Sequence, residues 1–289
     1  MNGGRTDPII VIGMHRSGTS LLSRILSQAG VFMGADTDRN HESCFFQKLN
    51  IWLLNQCGGR WDHPGVIDDL LIDMKIRTQT TEYLRQQVGS PKLIRYLGLP
   101  RTLSRFSGLD AWGWKDPRNT FTLPLWMDVF PNARIINVYR HGVDVAASLQ
   151  FRQFQYFEGS VQNYKRRRWL FELFHKRGGF YQTPRCSSLD GGISVWGEHM
   201  ERSSAHVDQF HDRALNICFE EFLSTPEDLI AVILKFCGVG VCDTFIRDLA
   251  ERIDPGRAYA FREVPDLVEC AIRNSSSLTP FGYGPEGPV

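Results

Sequence analysis

Gly13, Gly18 and Ser20 stand in the stretch GMHRSGTS with the spacing of the phosphate-binding loop G-x-x-x-x-G-K-[ST]. Thr19 occupies the place of the loop lysine, and Arg16, inside the loop, is the nearby cation. In a nucleotide kinase or ATPase that lysine reaches the β- and γ-phosphates, so the pattern raises the question of which anion this loop holds. Two more charged groups stand at comparable places. GWKDPR carries Lys115 and Asp116, and YRHGVDVAAS carries Arg140 and Ser148. Acids and histidines that could move a proton gather in DTDRNHES, with Asp36, Asp38, His41 and Glu42, and in WDHP, with Asp62 and His63.

Elements that position these groups follow from the apolar pattern. PIIVIG is a short β-branched run ending in glycine, which predicts a buried parallel strand. TSLLSRILSQAG places Leu21, Leu22, Ile25, Leu26 and Ala29 on one helical face, with Gly30 as stop. Strand, glycine loop and helix therefore follow in the order that points helix N–H groups and the positive dipole end at an anion. A second amphipathic helix is predicted over residues 45–58, and a strand at AWGWKDPR, which Pro117 ends. RIINVYR predicts a strand followed by a helix from VDVAASLQF, and LNICFEEF a further strand. TPEDLIAVILKFCGV predicts a helix with Thr225 as N-cap, Pro226 at its first position and Gly238 as stop.

This alternation predicts an α/β fold: a P-loop-type, doubly wound, mostly parallel sheet flanked by helices, in a single domain over residues 1–289. Ligands of such sheets bind at the carboxyl ends of the strands, where Gly13, Lys115 and Arg140 all fall. Residues 152–192 are basic, aromatic and irregular, and are expected to form a helical or irregular insertion or lid, with Arg166, Arg167 and Arg168 on a solvated face. The turn-rich end, NSSSLTPFGYGPEGPV, is expected to be partly loose.

The chain is 42% hydrophobic and 22% charged, an ordinary globular composition. Its net charge of +1 argues against general nucleic-acid or membrane-surface binding, so any anion site has to be local. No apolar run is long enough to span a bilayer, and MNGGRTDP lacks the hydrophobic stretch of a signal peptide. The seven cysteines are odd in number and form no C-x-x-C pair, which predicts free thiols in a reducing cytoplasm.

Taken together, the motifs resemble the sulfotransferase family, which transfers a sulfuryl group from PAPS (3'-phosphoadenosine 5'-phosphosulfate) to an acceptor. HRSGTS resembles the arginine-bearing 5'-phosphosulfate loop, which implies donor contacts from His15, Arg16, Ser17, Gly18, Thr19 and Ser20. YRHGVDVAAS is similar to the 3'-phosphate motif, which implies Arg140 and Ser148 as its clamp. GWKDPR resembles the K-D-P segment whose lysine, Lys115 here, faces the transferring group. CFEEFLSTPEDLIAVILKFCGV is a weaker match, with Phe219 replacing the usual tyrosine.

The resemblance implies PAPS as cosubstrate, PAP as product, no metal ion, and a small-molecule, carbohydrate, lipid or peptide acceptor. Arg16 and Lys115 are then the cations that stabilise charge on the leaving phosphate oxygen. For the general base, some bacterial members of the family carry a Glu where this chain has Gln47, and an amide takes no proton. Glu42 is the favoured replacement and His41 the second, with Asp36, Asp38, Asp62 and His63 as further candidates. The rival readings are a P-loop kinase, which Thr19 disfavours, and a non-catalytic PAP-binding protein.

Overall fold

The computed structural model describes residues 7–101 and 105–288, in two compact units. The first comprises residues up to Arg140 together with His199–Ala258, and the second His141–Glu198 with the segment from Tyr259 onward. Four strands, β1 (Ile9–Gly13), β2 (Gly113–Lys115), β3 (Arg134–Tyr139) and β4 (Ala214–Cys218), lie in the first unit and pair in parallel in the order β2-β1-β3-β4. Its helices are α1 (Thr19–Gln28), α2 (Cys44–Gln56), α3 (Asp68–Ile72), α4 (Met74–Gly89), α5 (Ile94–Leu97) and α6 (Asn119–Val129). In the second unit, α7 spans Gly142–Arg166 and α8 spans Arg168–Leu173. Helix α9 (Leu189–Gln209) begins in the second unit and ends in the first, where α10 (Phe219–Ser224), α11 (Pro226–Cys237) and α12 (Asp243–Ala250) follow. The second unit closes with α13 (Pro265–Arg273), α14 (Ser275–Leu278) and an antiparallel pair, β5 (Tyr283–Gly284) with β6 (Gly287–Pro288).

Strand periodicity divides the first unit into two cores. Ile10, Ile12, Trp114 and Ile135 face one cluster, built with Phe46, Leu53, Leu84 and Trp126. Ile9, Val11, Ile136, Val138 and Ile217 face the other, built with Leu22, Leu26, Phe222 and Ile233. A strand covered on both faces has no polar side, which is why PIIVIG reads as a continuous apolar run. The doubly wound parallel sheet expected from the sequence is present.

Local departures have local causes. The FEEF that continues β4 in sequence is helical, because Phe219, Phe222 and Leu223 repeat at three and four residues and all three are buried. Thr225 does not cap α11 with its side chain; its Oγ1 donates instead to the Glu221 carbonyl, 3.1 Å away, and so closes α10. Gly238 ends α11 in the left-handed conformation, as expected. The start of the expected irregular insertion is the second half of one 25-residue helix, α7. In the second unit, His141 opens α7. Its Nδ1 accepts from the Val143 N–H, its Nε2 lies 3.0 Å from the Gly284 carbonyl, and its ring stacks on Phe261 at 4.2 Å.

Candidate functional site

Between β1 and α1 the chain makes a tight loop that only particular residues allow. Gly13 has φ 125°, and a Cβ there would lie 2.2 Å from the Val138 carbonyl oxygen. Gly18 has φ 99°, and its Cβ would lie 2.1 Å from the Phe219 ring. Arg16 also adopts a left-handed conformation, at φ 73°. The hydroxyl of Ser17 is fully buried, 2.6 Å from the Met14 carbonyl and 2.8 Å from that of Val138, so it braces the loop from within. Thr19 is buried under the loop, and Ser20 Oγ donates to the Asn40 carbonyl at 2.9 Å. The first turn of α1 has N–H groups with no intrahelical partner, and its dipole favours an anion there.

Two further arginines, Arg140 and Arg257, lie near Arg16 of this loop. Arg140, at the end of β3, is buried, and its Nη2 donates to the Arg257 carbonyl at 2.8 Å while the guanidinium lies 5.0 Å from the centre of the Phe219 ring. Loss of surrounding water, then the charges of Arg257 and Arg140, lower the pKa of Arg16, although its side chain still reaches solvent. Mutual repulsion of this kind is relieved by an anion. His15 packs its ring 4.7 Å from that of Trp61. Arg257, which carries no motif of its own, is a cation the sequence reading missed.

On the other side of the loop lies a buried polar cluster. Lys115, at the end of β2, has its Nζ 3.3 Å from Ser20 Oγ and 3.2 Å from Glu42 Oε1. Arg118 Nη1 lies 3.3 Å from Glu42 Oε2 and 2.9 Å from Asp116 Oδ1. Gln47 Nε2 donates to Glu42 Oε2 at 2.8 Å and lies 3.2 Å from Asp38 Oδ2. The lysine and glutamate side chains are 1% and 5% exposed, so this pair is desolvated in the protein as it stands. Burial and then the charge of Asp116 raise the Glu42 pKa, against the lowering by Lys115, Arg118 and the Gln47 hydrogen bond.

A narrow hairpin delivers Glu42. Thr37 and Ser43 form an antiparallel bridge, and Asp38 N donates to the Glu42 carbonyl at 2.9 Å. Asp38 Oδ1 accepts from the N–H groups of Asn40 and Glu42, both at 2.8 Å, so this acid shapes the turn. His41 sits at φ 58° with its N–H on the Asp38 carbonyl and is half-buried. Asp62 is buried beside Arg60, 3.4 Å away, and His63 is exposed. Of the acids in the two loops, the structure brings Glu42 to Lys115, whose Nζ also reaches Ser20 at the end of the β1–α1 loop. Ser148 is half-buried on the second turn of α7, in the second unit.

Asn50 on α2 is the hub behind the cluster. Its Nδ2 donates to Asp116 Oδ2 at 2.9 Å and Asn119 Oδ1 at 2.8 Å, and its Oδ1 accepts from Thr122 and Trp126. Asn119 in turn donates to the Val11 carbonyl of β1 at 3.1 Å. A single asparagine in an apolar helix gives no sequence signal, whereas Arg118 could have been read from its place three residues after Lys115. Among the described residues, no group of three His, Cys, Asp or Glu is placed to hold a metal ion, and no helix is long and apolar enough to cross a membrane.

Comparison with known proteins gives a consistent family. A model described as "Sulfotransferase family" matches residues 8–243. The sulfotransferase domain of the Synechococcus PCC 7002 olefin synthase superposes with a TM-score of 0.52 at 15% identity, covering 97% of this chain and 96% of that one. A sulfotransferase from Alicyclobacillus acidocaldarius gives 0.48 at 17% identity, over 96% and 93%. Retinol dehydratase, solved with androsterone and inactive cofactor PAP, gives 0.36 at 13% identity, over 89% and 69%. Of these three, the olefin synthase domain, with a TM-score above 0.5, supports the fold. Among proteins of curated function, none matched the sequence.

Proposed function

Because the chain belongs to the sulfotransferase family, we propose that it moves a sulfuryl group from PAPS to a hydroxyl or amine, in line and without a metal ion. The observation that carries this reading is the contact chain Glu42–Lys115–Ser20, which joins a buried acid, a cation and the end of an anion-binding loop. PAPS supplies the sulfuryl group and a phosphate leaving group. The residues present suit it: two glycines where a Cβ would collide, helix N–H groups, and the arginines at 16, 140 and 257 around the loop.

Glu42 takes the proton from the acceptor oxygen or nitrogen as the new bond to sulfur forms and the bond from sulfur to the phosphate oxygen breaks. Lys115 and Arg16 offset the negative charge that collects on that departing oxygen. Arg140 holds the 3'-phosphate. Lys115 also orients Glu42, and Gln47 steadies the carboxylate rather than replacing it. The acceptor is a small molecule, carbohydrate, lipid or peptide.

Radiolabelled PAPS offered with a panel of such acceptors should give labelled product in the presence of EDTA. Activity that EDTA abolishes and magnesium restores would instead indicate a kinase-like site. Arg140→Ala should weaken PAP binding about tenfold or more in calorimetry, since a charged hydrogen bond is worth about 1.5–3 kcal/mol. Equal affinity in wild type and variant would rule out the assigned 3'-phosphate contact.

A further inference from the structure

The net charge of +1 conceals a strongly cationic segment. Between Phe151 and Tyr181 there are seven Lys and Arg against two Glu, a net +5 in the second unit. Lys165, Arg166, Arg167, Arg168 and Arg177 are exposed. Beside them, α8 carries Trp169, Leu170, Phe171 and Leu173 and buries none of its residues. Trp169 is 64% exposed, Leu173 74% and Phe174 68%.

Within the segment Phe157 stacks on Tyr181 at 4.7 Å and Tyr164 on Phe171 at 5.6 Å, and Tyr164 meets Phe180 edge-on, whereas Phe151 and Phe154 on α7 are also exposed, at 63% and 51%. Trp169 and Leu173, one helical turn apart, share a face and remain outside this packing. Scattered single apolar residues on a surface need no explanation, but Trp169, Leu173 and Phe174, all exposed within six residues and flanked in sequence by arginines, mark an interaction site.

We propose that α8 and the adjoining arginines form a docking surface for an anionic lipid bilayer. Such a bilayer presents hydrocarbon for Trp169, Leu173 and Phe174 immediately beside negative headgroups for Arg166, Arg167 and Arg168, and the long arginine stems can lie along that boundary. A second copy seated on the same patch would oppose cation to cation. A nucleic acid or acidic polysaccharide would satisfy the arginines but leave Leu173 and Phe174 in water. The proposed docking rests on this local charge and so departs from the expectation of no membrane contact drawn from the net charge. This inference stands apart from sulfuryl transfer, because none of these residues belongs to the site around Lys115.

The test is sedimentation of the full chain with large unilamellar vesicles of phosphatidylcholine, with or without about one phosphatidylglycerol in four lipids. Binding should be about tenfold or more stronger on the anionic vesicles and should weaken in high salt. The double variant Trp169→Ser/Leu173→Ser and the triple variant Arg166→Glu/Arg167→Glu/Arg168→Glu should each lose about tenfold or more, with unchanged thermal unfolding and PAP affinity, because the altered side chains are exposed. No binding to anionic vesicles, or equal binding to both compositions, overturns the proposal. So does a double variant that binds anionic vesicles as wild type does, which would assign the patch to polyanions. A dimer that Leu173→Ser dissociates, without vesicle binding, overturns it in favour of a second copy.

Discussion

Glu42 is a carboxylate held by two cations yet raised in pKa, because its burial and the charge of Asp116 outweigh Lys115, Arg118 and Gln47. For a general base the sign is direct: activity falls as pH drops through the pKa of the base, so a raised value moves the acidic limb above the ordinary carboxylate range. Glu42→Gln should keep PAP affinity, lower kcat by about 10²–10⁴, and lose that limb. Lys115→Ala should also lower kcat but keep the limb. It should shift the limb to higher pH, because the lysine is one of the groups that pull the Glu42 pKa down. Normal turnover in Glu42→Gln would pass the role to His41, one residue earlier at φ 58°, to Asp36 or to the Asp62–His63 pair.

At the scale of elements, α6 contains a defect and its repair. Pro124 has no N–H to give to the carbonyl four residues back, that of Thr120. His206, near the end of α9, places its Nε2 2.9 Å from that carbonyl. The hydroxyl of the same Thr120 accepts from the Gly13 N–H at 3.0 Å, so the repaired turn of α6 abuts the start of the β1–α1 loop. His206→Phe should leave the buried carbonyl without this donor and destabilise the first unit by about 1–3 kcal/mol. Pro124→Ala in that background returns a backbone N–H in the helix and should recover part of the loss. A double-mutant cycle by urea unfolding measures the coupling, and additive effects would show that the two residues act separately.

For the molecule as a whole, His206 ties stability to pH. Its pKa is lowered to about 4, mainly by burial and, to a smaller extent, by Arg202, against the pull of the Thr120 carbonyl. The unfolded chain takes up the proton near 6.5 and the folded one only near 4. Stability therefore falls as pH drops from about 6.5 to 4, by up to about 3 kcal/mol, and the histidine adds no pH dependence above that window. His206→Gln should flatten this part of the urea-midpoint profile, and an unchanged slope would remove the histidine from the account. Much of the fold is legible in the sequence because its signals are short-range. Two glycines five residues apart set the loop, β-branched runs set β1 and β3, and a proline and a glycine bracket α11. The motifs carry Arg16, Lys115 and Arg140 for the same reason. Which acid serves Lys115 was decided by tertiary structure. Asp36, Asp38, His41 and Glu42 lie within seven residues, and only the folding of their hairpin separates a turn-forming acid from one buried against a cation. The carbonyl of Arg257 reaches Arg140 across 117 residues, and His206 reaches Thr120 across 86. No local pattern encodes such contacts, because each depends on how distant elements pack against the sheet, and packing is where burial, charge and proton affinity are set.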